Sequence, residues 1–232
     1  MKKLISLLSI IFFSACTLNV QIPTNSPNQK YDIGQAHKSV GEIFVGAAKV
    51  KGGLSGTAFA LDDEFLLTAG HVCVGILEYQ ASGDLKEEII LITMKDGFKQ
   101  EFGGVELVEV DEPHDVCLVK RKNHGLAPIK FISNYEDLKF RDRVWVVGAP
   151  LGMLISEQEG RVMDVNLDEF PFKDKLLISS AVAGGNSGSP VFNDVGEVVG
   201  MLIAGSTAYD HLGICTKSST IQRFLKLTGH LD

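Results

Sequence analysis

From about Ser39 onward the chain consists of short apolar runs, and none before the last dozen residues is organised as a long helix. Runs rich in Val, Ile, Leu and Phe recur near 40–50, 54–61, 64–68, 88–95, 98–110 and 115–120. A second set lies near 143–148, 158–167, 175–182, 189–193, 196–204 and 211–217. Gly, Asp or Asn separates them. Short strands at regular spacing with turn residues between them specify antiparallel barrels or sandwiches. The 24 glycines against 7 prolines in 232 residues suit a turn-rich β protein better than a helical bundle. The polar stretch Ser133 to Lys139 divides the two sets, whose similar strand numbers are compatible with duplicated barrels without establishing them. One helix is expected at the end: Ser218, Ser219 or Thr220 can cap it, Ile221, Phe224 and Leu225 share a face, and Gly229 stops it.

The first residues stand apart from this pattern. Lys2 and Lys3 precede an apolar run, Leu4 to Phe13, and Ser14-Ala15 are small residues before Cys16. The run is too short to span a bilayer and reads as an export signal over residues 1–15. Phe13-Ser14-Ala15-Cys16 resembles a bacterial lipobox, with Phe13 where Leu is usual, so Cys16 is expected to carry lipid. The alternative is an ordinary signal-peptidase cut near Ala15. Residues 16–38 then form the anchor and a polar tether. The expected location is the face of a bacterial envelope membrane, or the periplasm or exterior if Cys16 is not lipidated. Lys plus Arg number 22 and Asp plus Glu 29, a net charge of −7. Removing the signal takes away two lysines and no acid. Such a chain exerts no overall attraction on nucleic acid.

Cys73, Cys117 and Cys215 remain after Cys16. Three cysteines cannot all pair within one chain, and each sits in apolar sequence, so buried free thiols are expected. No pair has the close spacing of a metal knuckle.

The segment Ala183-Gly184-Gly185-Asn186-Ser187-Gly188-Ser189-Pro190 is the most informative for chemistry. Glycines flanking a Ser permit a tight turn that can aim the amides of Gly185 and Ser187 at one point. Convergent N–H groups beside a hydroxyl are what acyl transfer requires; an ordinary Gly-Ser turn is the plainer reading. A Ser hydroxyl needs a base. Of six histidines, His37 and His230 lie towards the ends, and His114, His124 and His211 sit in turn-like sequence. His71 ends the run Phe65-Leu66-Leu67-Thr68-Ala69-Gly70-His71, at the rim of a rigid core. Asp115 opens Val116-Cys117-Leu118-Val119 and is the candidate acid to orient the base. Asp111 and Glu112 are nearby rivals expected to face water.

Thr68-Ala69-Gly70-His71, His114-Asp115-Val116-Cys117-Leu118 and Gly185-Asn186-Ser187-Gly188-Ser189-Pro190 resemble the three catalytic blocks of chymotrypsin-like serine proteases, in that family's order. Val147 to Gly152 is similar to the start of the second barrel in bacterial members, and Gly213 to Lys217 to the last strand. Gly184 to Asn193 is especially similar to secreted glutamyl endopeptidases. The resemblance covers about residues 39–229. It implies an all-β chain with two antiparallel Greek-key β-barrels packed together (39–132 and 143–217), a link at 133–142 and a C-terminal α-helix at 218–230. It also implies Ser187 as nucleophile, His71 as base, Asp115 as its orienting acid, and the amides of Gly185 and Ser187 as oxyanion hole. No metal or cofactor is required, and the partner is a peptide or protein substrate.

The departures from the family carry further expectations. Asn186 stands where trypsin-type zymogens have Asp, so activation by an ion pair to a new N-terminus is not expected. The implied substrate contacts are Ala181, Val182, Leu202, Ile203, Gly205 and Gly213. None is charged, and Leu202 replaces the His of glutamate-cutting relatives, so cleavage after apolar residues is expected. Among enzymes the rival is an envelope quality-control protease; the sequence stops after the last helix, so no PDZ domain is expected. The rival from another class is a catalytically silent homologue that binds peptides or partners. An esterase is the third.

Overall fold

The computed structural model describes residues 33–45, 55–81, 89–95, 98–153, 155–169, 171–206 and 211–231. The export signal, Cys16 and most of the tether lie outside the described residues.

The first half forms one antiparallel sheet. Its strands are β1 (Val40–Val45), β2 (Ser55–Ala60), β3 (Phe65–Thr68), β4 (Ile89–Lys95), β5 (Phe98–Phe102), β6 (Glu106–Asp111) and β7 (Val116–Lys120). Their spatial order is β5-β4-β1-β2-β3-β7-β6. In β4-β1-β2-β3 the fourth strand returns beside the first, which is the Greek-key order. A two-residue strand, β8 (Lys130–Phe131), leads into the second half. There β9 (Arg143–Gly148), β10 (Ser156–Leu167), β11 (Lys175–Ser179), β12 (Pro190–Asn193), β13 (Glu197–Gly205) and β14 (Leu212–Lys217) follow. Their order is β12-β9-β10-β11-β14-β13, and β12 also pairs with β13, closing a six-stranded barrel. β8 adds to β13 in parallel. The same returning order recurs in β12-β9-β10-β11.

Burial explains why these runs became strands. Every residue of β1 is buried, and so are all but the first of β2. These strands are covered on both faces, and apart from the buried Glu42 and Thr57 their sequence is apolar or small instead of alternating. One core cluster joins Ile43, Phe59, Leu66 and Leu118 of the first sheet to Val147, Phe192, Met201 and Ile203 of the second. The two sheets therefore pack together. A smaller cluster, including Val144, Val162, Leu176 and Ile178, fills the second barrel.

Three expectations are corrected. The run 98–110 is two strands, broken at residues 103–105. A twelve-residue helix, α1 (Gly70–Ala81), follows β3 where no helix was expected before the end of the chain. Its sequence carries two valines and an internal glycine, weak helix formers, and tertiary contacts override that preference. Val72, Cys73 and Ile76 are buried on the sheet. Cys73 is also bonded to Cys117 of β7, so these are not the free thiols expected; among the described residues Cys215 alone is free, and it is buried. The spacing of 44 residues between the partners gave no local sign of pairing.

The C-terminal helix forms where expected, as α2 (Ser218–Leu227). Ile221, Phe224 and Leu225 are its buried face, and Gly229 beyond it has φ +77°. The residue before its first turn is Lys217, with no side-chain cap bond, and Ser218 lies inside the helix.

Candidate active site

His71 is the second residue of α1, placed by β3 and the short turn after it. Asp115 stands between a 3-10 turn (Glu112–His114) and β7. Ser187 lies in the loop between β11 and β12. The first sheet thus supplies His71 and Asp115, and the second barrel supplies Ser187. His71 Nε2 is 2.9 Å from Ser187 Oγ. His71 Nδ1 is 2.9 and 3.0 Å from the two Asp115 carboxylate oxygens. The backbone N–H of His71 also donates to Asp115 Oδ1 at 2.7 Å. With Nδ1 donating to the carboxylate, Nε2 is left as the acceptor for the Ser187 hydroxyl proton. Of the rival acids, Asp111 is engaged instead with His114 Nδ1, at 2.8 Å.

The loop around Ser187 is held by its carbonyls. Ala183 O accepts from Asn186 N, Gly184 O from Leu151 N, Asn186 O from Ser189 N and Ser187 O from Thr57 N. Gly185 O accepts from Thr57 Oγ1 at 2.9 Å. The N–H groups of Gly185 and Ser187 have no acceptor among the described residues. In a planar trans peptide the N–H points opposite to the preceding carbonyl. The Gly185 N–H therefore faces away from Leu151, and the Ser187 N–H away from Ser189. Two glycines make this path possible. Gly185 has φ +89° and a Cβ there would lie 2.5 Å from Ala149 O; Gly188 has φ +90° and a Cβ there would lie 2.1 Å from Thr57 O.

Thr57 went unnoticed in the sequence, where it is one small polar residue in an apolar strand. It is fully buried. Its hydroxyl donates to Gly185 O and accepts from Ala149 N at 3.0 Å, and its carbonyl accepts from Thr68 Oγ1 at 2.7 Å. A buried hydroxyl bonded on both sides across the sheets is the only signal it could have given.

Beside Ser187 lies a cleft of about 230 Å³ lined by Val182, Ala183, Gly184, Leu202, Ala204, Gly205 and Ser206. Among the described residues, no lining side chain is charged. Val182, Leu202 and Gly205 are thus brought together, and a Cβ on Gly205 would meet Val182 Cγ2 at 2.4 Å. The other implied contacts are placed elsewhere. Ala181 lines a separate cleft with Glu159, Arg161 and His211. Gly213 faces Ile178 and Leu202 inside the barrel. The Ile203 side chain packs into the main core. β12 pairs with β13 only as far as Met201, and Leu202 bonds to Gly188 and Ser189. Beyond it, no described strand covers that edge of β13.

Residues 56–201 match the trypsin-like peptidase domain family. The chain is 28% identical over 195 residues to a Do-like 14 protease of Arabidopsis thaliana, covering 81% of this chain and 44% of that protein. It is 30% identical over 149 residues to a DegP-like periplasmic serine endoprotease of Halomonas elongata, covering 63% and 28%. It is 25% identical over 179 residues to serine protease HTRA1 of Xenopus tropicalis, covering 74% and 35%. The chain spans less than half the length of these relatives. Among solved structures, an HtrA-type protease, AlgW with tripeptide, superposes with TM-score 0.69 at 19% identity, covering 86% of this chain and 63% of that one. The inactive Ser343Ala form of Rv3671c from M. tuberculosis gives 0.66 at 19%, covering 85% and 89%. These two likenesses concern the fold. The chain belongs to the trypsin-like peptidase family. The narrower likeness of Gly184 to Asn193 to glutamyl endopeptidases has no counterpart among these relatives.

Proposed function

We propose that this chain is an exported serine endopeptidase that cuts after apolar residues. The observation that carries the reading is the unbroken line of hydrogen bonds from Ser187 Oγ through His71 to Asp115. Ser187 Oγ attacks the scissile carbonyl carbon while His71 Nε2 takes its proton. Asp115 holds the imidazole by Nδ1 and stabilises the imidazolium. The carbonyl oxygen, now negative, is received by the two N–H groups of Gly185 and Ser187. His71 returns the proton to the leaving amine, and the acyl group on Ser187 is then hydrolysed by water activated the same way. A substrate strand adds to the uncovered edge of β13 beyond Leu202, a β-augmentation mode.

The cleft beside Ser187 supports the apolar preference. A charged side chain entering it would shed water without meeting a counter-charge, at a cost of several kcal/mol. Export is supported by the Cys73–Cys117 bond, since disulfides persist mainly in oxidising compartments. It is supported as well by the name of the DegP-like periplasmic relative. Membrane anchoring through Cys16 rests on its lipobox-like setting. Cys16→Ser should move the protein from the membrane to the soluble fraction, and an unchanged membrane fraction would refute lipidation.

The test of specificity is cleavage of a peptide library by the wild type. Leu, Met, Phe or Val should dominate the position before the cut, with modest discrimination, since a methylene is worth about 1–3 kcal/mol in such a pocket. A profile dominated by Arg, Lys, Asp or Glu would overturn the assignment of Val182, Leu202 and Gly205. No cleavage and no labelling at Ser187 would favour the silent, peptide-binding homologue.

A further inference from the structure

Asp115 is held in an unusual way. Its backbone is left-handed, φ 59° and ψ 52°, a region that residues other than glycine enter rarely and at some cost. The donors to its carboxylate among the described residues both belong to His71. Asp115 is the C-cap of the 3-10 turn, its own N–H donating to Glu112 O at 3.1 Å, and the peptide that enters it is held from outside that turn.

The peptide joining His114 to Asp115 is gripped by the second barrel. Lys175 of β11 donates its Nζ to His114 O at 3.0 Å. Thr216, its cross-strand partner on β14, donates Oγ1 to the same oxygen at 2.7 Å. Lys175 Nζ also donates to Thr216 Oγ1 at 3.1 Å. Lys175 is only 7% exposed and Thr216 is fully buried. Fixing that carbonyl fixes the plane of the peptide that enters Asp115. Thr216 already satisfies the oxygen, so a neutral staple between the sheets would not need an amine. Burying a lysine is costly, and what it adds is positive charge at the door of Asp115. Burial pulls the Lys175 ammonium below the usual lysine range, and Asp115, then Asp174, Asp111 and buried Cys215, oppose this. His114 itself is engaged by Asp111 at Nδ1 and by the Arg223 guanidinium of α2, 3.2 Å from Nε2.

We propose that Lys175 is a positioning residue: with Thr216 it clasps the His114 carbonyl and keeps Asp115 in the left-handed conformation from which it orients His71. The inference rests on the reading of Ser187, His71 and Asp115 as a triad. It makes the acid of the first sheet dependent on a cation supplied by the second barrel.

The test compares wild type, Lys175→Met, Lys175→Arg, Thr216→Val and, as control, Lys173→Met, whose side chain is exposed. Steady-state hydrolysis of a Leu-containing peptide gives kcat and KM. The downfield proton resonance of the His71–Asp115 hydrogen bond reports their geometry directly. Lys175→Met should lower kcat about 10- to 100-fold, the scale of a slight misplacement of a catalytic group, with KM within about twofold. The downfield proton should shift or broaden. Lys175→Arg should recover part of kcat, and Lys173→Met should match the wild type. If Lys175→Met does not fold, Thr216→Val carries the test, with a loss of kcat of about tenfold and the same spectral change. A folded Lys175→Met, or in its absence Thr216→Val, with wild-type kcat and an unmoved proton would overturn the inference. A wild type that neither hydrolyses peptide nor reacts with a fluorophosphonate would instead overturn the triad reading beneath it.

Discussion

The Cys73–Cys117 bond ties together the segments that carry two members of the site, since His71 lies two residues before Cys73 and Asp115 two before Cys117. Replacing both cysteines with Ala tests what that tie contributes. The partners are 44 residues apart, and in the chain-entropy account closing a loop of that length stabilises the folded state by about 4 kcal/mol. Both residues are fully buried, so each substitution also removes one packed sulfur and adds a small cavity cost. The expected loss is about 3–5 kcal/mol, or roughly 6–10 °C in melting temperature for a chain of this size. Urea unfolding followed by tryptophan fluorescence and circular dichroism measures it, with the oxidised wild type as reference. A double variant within about 1 kcal/mol of the wild type would refute the reasoning. It would mean that β3, β7 and α1 hold these segments without the bond.

Thr57→Val removes the hydroxyl that holds Gly185 O and receives Ala149 N. Because Thr57 orients the loop without touching the substrate, kcat should fall about tenfold, less than for loss of an oxyanion donor itself; an unchanged kcat in a folded variant would contradict this. His124 gives a pH dependence. It is fully buried, its Nδ1 accepts from Leu126 N at 3.1 Å, and burial holds its pKa below the usual histidine range, opposed by the Asp62 backbone and by the Asp62 and Asp63 charges. The unfolded chain takes up a proton near pH ~6.5 that the folded chain refuses, so stability falls as pH drops through that value towards the depressed native pKa. His124→Asn, which places an amide oxygen near the Nδ1 position, should flatten this slope between about pH 7 and 5. Equal slopes in denaturation curves would show that other groups carry it.

The strands were legible because burial wrote itself into the sequence. Val40 to Val45 and Val116 to Val119 are continuously buried, and apolar residues, interrupted only by Glu42, marked them. α2 was legible because its buried face recurs at helical spacing. α1 was not, since its helix-breaking residues are outweighed by contacts with β6 and β7 that no local pattern encodes. The residues His71, Asp115 and Ser187 stood out as three motifs in a familiar order, although 116 residues separate the first from the last. The residues that hold those three escaped notice. Thr57, Lys175 and Thr216 act through backbone carbonyls on other elements, and a lysine within an apolar strand reads as solvent-facing until its burial is known. The pocket was only partly legible: register decides which of Ala181 and Val182 faces the cleft, and a one-residue step turns a side chain to the opposite wall.

The central claim is that Ser187 is a nucleophile activated by His71, and covalent capture tests it most directly. Purified protein is treated with a fluorophosphonate, and the adduct is mapped by mass spectrometry of its peptides. The account predicts a single stoichiometric adduct on Ser187. It should be absent in Ser187→Ala and slowed in His71→Ala by on the order of 10³-fold or more. A wild type that stays unlabelled while folded, or an adduct that persists in Ser187→Ala, would contradict the account.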